Sequence, residues 1–237
     1  MIVLRSLLFV VLFYLWSIVL TVGLSPLLLG PRAWVIAAMR FWARGFMAML
    51  GPVCGVRIEV RGREHLAAGA ALVAAKHQCM LDALGAMAIF DDACFVTKKE
   101  LFLIPLFGWW SARAGMIAVD RSGQAKALRK MVTDARERMR DARQLIVFPE
   151  GHRVAPGETG TYRPGVAALY RELGLPCTPM ATNSGAHWPA HGFIRRPGVI
   201  VYEFLEPIAA GEHRASFMRT LEDRIETASL RLLAENP

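Results

Sequence analysis

The chain has 237 residues, 54% of them hydrophobic, and 28 Lys or Arg against 20 Asp or Glu, a formal charge of +8. That length fits one domain with a modest appendage, and a mean hydropathy of +0.33 is high for a freely soluble protein, so apolar surface must be hidden. Four scattered cysteines, Cys54, Cys79, Cys94 and Cys177, exclude a C-x-x-C zinc site or a disulfide framework and read as reduced core residues, while an arginine-heavy charge asks for an anionic partner: nucleic acid, anionic lipid or a phosphorylated substrate.

Ser6 to Pro31 carries no charge, and SLLFVVLFYLWSIVLTVGLS alone is 20 residues, about the length that crosses a bilayer core. A cleaved signal peptide would have a shorter apolar region and an A-x-A-like site, and neither is present. Arg32, Arg40 and Arg44 follow, mixed with Trp34, Phe41, Trp42 and Phe46, a composition suited to the headgroup layer. Residues 1–50 therefore read as a retained membrane anchor ahead of a catalytic domain at 51–237. If the first helix spans, the arginines after it (32, 40, 44, 57, 61, 63) against Arg5 before it put the domain on the cytoplasmic side of the cytoplasmic (inner) membrane. Pro26 and Gly30 equally allow a hairpin that dips into one leaflet.

Beyond Gly51-Pro52, short β-like runs alternate with helical ones, as in an α/β domain. VRIEVRG (56–62) alternates with period two. ALVAAK (71–76), CFVTK (94–98), MIAVD (116–120), QLIVF (144–148), PCTPMA (176–181) and GVIVYEFL (198–205) are further strand candidates. Helices are expected from Ser122, a plausible N-cap, to Arg143, from Arg163 to Leu173 and from Arg214 to Ala234. FPEGHRVAPGETGTYRPG (148–165) is too rich in Gly and Pro for regular structure and reads as a loop after QLIVF.

Within AAKHQCMLDAL (74–84), His77 and Asp82 stand five residues apart. On one helix that spacing leaves them roughly 140° apart, so they meet only if a strand ends before His77 and a helix begins near Cys79. The plain reading is a turn histidine bonded to a capping aspartate. The functional one is a general base, a neutral imidazole oriented by the carboxylate. With no G-x-S-x-G elbow, the nucleophile would be a substrate hydroxyl; the rival is a hydrolase using Cys79 as nucleophile. Lys98, Arg121, Arg153 and the backbone at Gly151 suit a phosphate, although each cation could equally be solvated and Glu150 could simply pair with Arg153. His77, Asp120-Arg121 and Glu150 to Arg153 each follow a strand candidate, which would bring them to one sheet edge.

In order, HQCMLD (77–82), KKELFLIPLFGWW (98–110), GMIAVDR (115–121), FPEGHR (148–153) and LPCTPMA (175–181) resemble the four signature blocks of the 1-acylglycerol-3-phosphate acyltransferase family, over roughly residues 55–205. The resemblance implies an α/β fold with a mixed sheet flanked by helices and a hydrophobic helical anchor. It implies His77 as base and Asp82 as its orienting partner. Lys98, Arg121, Glu150, Gly151 and Arg153 would form the acceptor's phosphate site, and Pro179 would lie toward the acyl side. The implied reaction moves an acyl chain from acyl-CoA or an acyl carrier protein thioester to the sn-2 hydroxyl of 1-acyl-sn-glycerol 3-phosphate (lysophosphatidate), making phosphatidate for phospholipid biosynthesis. No cofactor and no metal is implied. The third block usually reads F-P-E-G-T-R, and His152 replaces its threonine, which leaves lyso-ornithine lipid or another lysophospholipid as alternative acceptors. From Leu101 to Trp110 the second block also reads as core packing, with some side chains lining an acyl groove or touching lipid. A membrane-tethered basic binding module would need the charge but not the dyad. Nucleic acid is disfavoured, because the aromatics concentrate in the anchor and at Phe102 to Trp110 instead of interleaving with basic residues.

Overall fold

All seven strand candidates pair into one sheet. The structure, a computed structural model, describes residues 1–120 and 123–236; Arg121, Ser122 and Pro237 lie outside the described residues. The strands are β1 (Val56–Arg61), β2 (Ala71–Ala75), β3 (Ala93–Lys98), β4 (Ile117–Val119), β5 (Gln144–Val147), β6 (Cys177–Thr182) and β7 (Gly198–Phe204). Their order is β1-β7-β6-β2-β5-β3-β4. Every neighbouring pair is parallel except β6 and β7, so the sheet is mixed, as expected. β2 and β5 are buried along their whole length, which is why β2 and Leu145 to Val147 of β5 read as unbroken apolar runs, while the buried Gln144 side chain is bonded to the backbone of Asp92 and Gly69.

Among the described residues eight α-helices accompany the strands: α1 (Ile2–Gly23), α2 (Arg32–Cys54), α3 (Met80–Ile89), α4 (Phe107–Arg113), α5 (Gln124–Arg140), α6 (Pro164–Leu173), α7 (Ser184–His187) and α8 (Arg214–Glu235). α6 opens on Pro164, whose missing N–H costs nothing at a helix start, and closes on Gly174 at φ 64°. α5 is shorter than its expected Ser122–Arg143 span. Ala142 turns the chain at φ 55°, and Arg143 enters the interior just ahead of β5. The expected cap Ser122 lies outside the described residues.

Side chains alternate across β2, so Val73 and Ala75 face one layer and Leu72 and Ala74 the other. The first layer packs Phe9 and Phe13 of α1, Phe46 and Leu50 of α2 and Leu81 of α3 into a single cluster with β2, β5, β6 and β7. The second is built from α5, α6 and α8, with Met131, Val166, Leu169, Phe217 and Leu221. Each such side chain contributes about 1.5–3 kcal/mol when fully buried. The first two helices are thus seated in the core of the body. Polar bonds fasten them further: Arg5 Nε donates to Val53 O at 2.6 Å, and the Arg195 backbone N–H donates to Ser6 Oγ at 2.8 Å. Asp92 takes both Arg32 nitrogens, at 2.9 and 2.7 Å, and also Nε of the fully buried Arg143 at 3.0 Å. Both α1 and α2 are long and apolar enough to cross a membrane.

Candidate active site

β2, β5, β3 and β4 are parallel neighbours, so their carboxyl ends open on one edge of the sheet. His77 follows β2, the Phe148 to Arg153 loop follows β5, and Lys98 closes β3. Arg121, expected just after β4, lies outside the described residues.

The five-residue spacing resolves as a capping box. Cys79 is the extended N-cap of α3 and Asp82 its third residue. Asp82 Oδ2 accepts from the backbone N–H groups of Gln78 (2.6 Å) and Cys79 (2.8 Å) and faces His77 Nδ1 at 3.2 Å. Oδ1 accepts from Ser184 Oγ at 2.5 Å and Tyr202 OH at 3.2 Å. The plain and the functional readings of the motif therefore describe one object, because the capping aspartate is also the group beside the histidine. Asp82 has no exposed surface, and burial pushes its carboxyl upward, yet the His77 ring, the Cys79 N–H and the Ser184 hydroxyl together hold it below the usual carboxylate range. The positive end of α3 acts in the same direction. A carboxylate facing Nδ1 fixes the ring proton there and leaves the lone pair of Nε2 free to accept a proton. The ring is 15% exposed and stacks on Phe148, centroids 4.1 Å apart and 21° from parallel.

The third-block loop grips the backbone on either side of that ring. The His77 N–H donates to Glu150 Oε2 at 3.1 Å, and the His77 carbonyl accepts from the Val154 N–H at 2.8 Å. Glu150, expected at the phosphate, is fully buried and faces inward. Its Oε1 lies 3.0 Å from Nζ of Lys76, which is also buried and bonds both carboxylate oxygens of Glu226 on α8 at 2.7 Å and the Glu158 carbonyl at 3.0 Å. Tyr162 OH donates to Glu226 Oε1 at 2.9 Å. Burial raises the Glu150 carboxyl above its ordinary range, and Glu226 adds to the effect, in spite of the opposing Lys76 and the His77 N–H.

The remaining expected site residues divide by exposure. Lys98 and Arg153 are exposed, and Arg153 Nη1 donates to the Ala190 carbonyl at 3.1 Å. Gly151 stands at φ 70°; a Cβ there would touch only Arg163 Cγ at 3.6 Å, so backbone conformation, and not lack of space, requires glycine. His152 is exposed, with Nδ1 2.9 Å from the Glu150 carbonyl. Pro179 is buried in β6, in register with Ala74, its carbonyl taken by the Leu205 N–H at 2.9 Å. Cys79 has no exposed surface, and burial, aided by Asp82, raises its thiol far from ionisation, which removes the basis for a cysteine nucleophile. Sequence reasoning passed over Lys76, Phe148, Ser184, Tyr202 and Glu226. Two of them carried a local signal, Lys76 as an ammonium next to the candidate histidine and Phe148 as the first residue of the FPEGHR block. Among the described residues no group of three or more His, Cys, Asp or Glu side chains is arranged to hold a metal ion.

The structure is similar to the crystal structure of the 1-acyl-sn-glycerophosphate acyltransferase from Thermotoga maritima, with a TM-score of 0.79 over 97% of each chain and 20% identity, so the two share a fold. The sequence is 34% identical over 159 residues to the 1-acyl-sn-glycerol-3-phosphate acyltransferase of Pseudomonas aeruginosa, covering 67% of this chain and 62% of that one. It is 30% identical over 172 residues to the enzyme of the same name from Saccharomyces cerevisiae, covering 70% and 56%. The matched segment thus spans about six-tenths of these relatives. The acyltransferase family model matches residues 57–183, a stretch that contains His77, Asp82 and the whole Phe148 to Arg153 loop. With more than half its length inside that match, and with the paired histidine and aspartate within it, this chain belongs to the acyltransferase family.

Proposed function

We propose that the protein transfers an acyl chain from acyl-CoA or an acyl carrier protein thioester to the sn-2 hydroxyl of 1-acyl-sn-glycerol 3-phosphate, giving phosphatidate. The observation that carries this reading is the His77–Asp82 pair at 3.2 Å on the edge of the sheet, with Nε2 unburdened. Nε2 of His77 takes the hydroxyl proton as the oxygen attacks the thioester carbonyl. Collapse of the tetrahedral adduct breaks the C–S bond, and the thiolate recovers the proton from the imidazolium, whose charge Asp82 has stabilised meanwhile. Lys98, Arg153 and the Gly151 backbone would receive the phosphate, with Arg121, which lies outside the described residues, as a further cation for it; Glu150 would serve by fixing the His77 backbone, and Pro179 would back the site from β6.

For the anchor, the packing of Ser6 to Phe13 on the body supports a dip into one leaflet. Beyond Phe13, Trp16 packs against the same core and the turn after Gly23 is bonded to Arg113, so both ends of α1 rest on the body and the helix lies along it instead of standing free across a bilayer. Arg44, the exposed arginine of α2, would then meet anionic headgroups on the cytoplasmic face of the inner membrane, while Arg32 and Arg40 pair with Asp92 and Asp91.

The test is an assay of the full chain in mixed micelles with lysophosphatidate, lyso-ornithine lipid or lysophosphatidylcholine and each donor. Phosphatidate should form, and His77→Ala should cost about 100- to 10,000-fold in kcat. Arg153→Lys should raise KM for lysophosphatidate roughly 10- to 150-fold, the equivalent of one lost charge-assisted hydrogen bond. Acylation only of acceptors without a phosphate monoester would move the assignment to those acceptors. Absence of transfer to any lysolipid would end it.

A further inference from the structure

Exposed large apolar side chains are distributed unevenly between the two faces of the sheet. On the side of α5, α6 and α8, Leu230 alone among the described residues is large, apolar and exposed. On the other side α1 and α2 show a broad apolar surface, and outside them a second group follows β3 directly: Leu103 (82% exposed), Ile104 (47%), Phe107 (41%) and Trp109 (59%).

The second group adjoins the first. Arg113, at the end of α4, donates from Nε to the Leu28 carbonyl at 2.9 Å and from Nη2 to the Gly30 carbonyl. Those carbonyls belong to the turn joining α1 and α2, where Leu29 is 92% exposed and Trp34 follows at 55%. Two apolar groups from different parts of the chain therefore sit side by side. Exposed Lys98 and Arg113 border the second one.

This segment is held in a defined shape. Leu106 adopts φ 64° and ψ −61°, and the Phe107 N–H closes on the Pro105 carbonyl at 2.7 Å, a tight three-residue turn that strains a non-glycine residue. A Cβ on Gly108 would fall 2.0 Å from the Phe102 carbonyl oxygen, so only glycine lets α4 start flush against the preceding turn. Trp110 and Gly108 point inward while Leu103, Ile104, Phe107 and Trp109 point out. Backbone strain is spent on presenting apolar side chains to the exterior.

We infer that Leu103 to Trp109 is a second membrane-contacting element, which seats these side chains in the interfacial layer of the leaflet that holds α1 and α2. A bilayer fits better than a second copy of the chain. The patch continues the apolar face of the anchor helices, and its basic and aromatic border matches anionic headgroups. Contact on both sides of the α1–α2 turn would fix the tilt of the body and hold the end of β3, with Lys98, at headgroup depth. That consequence rests on the acyltransferase reading, whereas the contact itself does not.

The experiment uses the full chain bound to phosphatidylcholine–phosphatidylglycerol vesicles. The four native cysteines are buried, so a nitroxide can be directed to Leu103→Cys, Phe107→Cys, the anchor reference Leu29→Cys and the opposite-face reference Leu230→Cys. Collision with oxygen and with an aqueous nickel chelate then reports depth, with no dependence on any acyl transfer. Labels at 103 and 107 should become lipid-like on vesicle binding, as at 29, while 230 stays aqueous. Aqueous behaviour at 103 and 107 while 29 is lipid-exposed overturns the proposal. So does shielding of 103 by spin–spin contact between copies, which would assign the patch to self-association. As a second measurement, Leu103→Glu/Trp109→Glu should weaken vesicle binding at least about tenfold; unchanged binding would count against it as well.

Discussion

Two carboxylates with no exposed surface hold His77, one at its ring and one at its backbone N–H, and their surroundings drive them in opposite directions. Asp82 lies among donors: two backbone N–H groups at the start of α3, two hydroxyls from α7 and β7, and the imidazole. Glu150 has one ammonium, shared with Glu226, and one backbone N–H. Equal burial therefore leaves Asp82 below the usual carboxylate range and Glu150 above it. The number of donors aimed at a buried acid, more than its depth, decides whether it serves as a fixed anion. Asp82 is suited to stabilise an imidazolium, and Glu150 to hold the backbone that carries the imidazole.

Near-isosteric replacements test that division most directly. Asp82→Asn keeps an oxygen for the N–H groups of Gln78 and Cys79 but cannot be an anion beside the imidazolium, so kcat should fall about 100- to 10,000-fold in protein whose circular dichroism is native. Glu150→Gln keeps an oxygen for the His77 N–H and leaves Lys76 paired with Glu226. Its loss should stay within about tenfold. Equal losses would erase the distinction between the two acids.

The next largest effect concerns stability. Lys76→Met strands Glu150 and Glu226 together in the interior and should cost about 3–5 kcal/mol in denaturant titrations. Adding Glu226→Gln should recover part of that loss, since the two sites share one interaction. A midpoint for Lys76→Met equal to that of the parent would show that the network holds nothing in place.

How much of this could be read beforehand differs with the range of the interaction. The seven strands were legible because alternation and apolar runs are local, whereas their order, and the reversal between β6 and β7, depend on pairings between distant segments. His77 and Asp82 were legible because a strand, a turn and a capping box fit inside nine residues, Ala74 to Asp82. Ser184 and Tyr202 were not, because they reach Asp82 from 102 and 120 positions away and neither stands in a distinctive pattern. Glu226 looked like any polar residue of an amphipathic helix until α8 placed it over Lys76. Glu150 was singled out from the resemblance as a phosphate residue; its inward orientation follows from the buried ammonium behind it, which no spacing reveals. The apolar length of the first helix was plain, but not that Phe9 and Phe13 would be spent on the core of the body.

Trimming donors from Asp82 one at a time gives a smaller effect. Ser184→Ala removes a 2.5 Å hydroxyl bond to a buried anion and should cost about 1.5–3 kcal/mol, with Tyr202→Phe, at 3.2 Å, costing less. If Tyr202→Phe were the more damaging of the two, bond length would be a poor guide to what keeps Asp82 ionised.

The smallest effect, and the one with a sign, is the dependence of stability on pH. Asp82 has its carboxyl lowered in the folded chain, so its contribution is fully present above the ordinary value of about 4 and is lost as pH falls through the lower folded value. Glu150 has its carboxyl raised, so the folded chain binds that proton more tightly than the unfolded one; its contribution is fully present below about 4 and is lost as pH rises through the folded value. Each unit of displacement is worth about 1.4 kcal/mol. Acidification from neutral toward pH ~4 should therefore relieve the strain at Glu150 before further acid withdraws the support of Asp82. Unfolding free energies of the parent, Glu150→Gln and Asp82→Asn should separate the two arms. Glu150→Gln should lack the gain above pH ~4 and keep the loss below it, and Asp82→Asn should do the reverse. A constant offset between Glu150→Gln and the parent across the upper window would mean that Lys76 and the His77 N–H suffice to keep Glu150 at an ordinary value, and the two sides of the histidine would be alike after all.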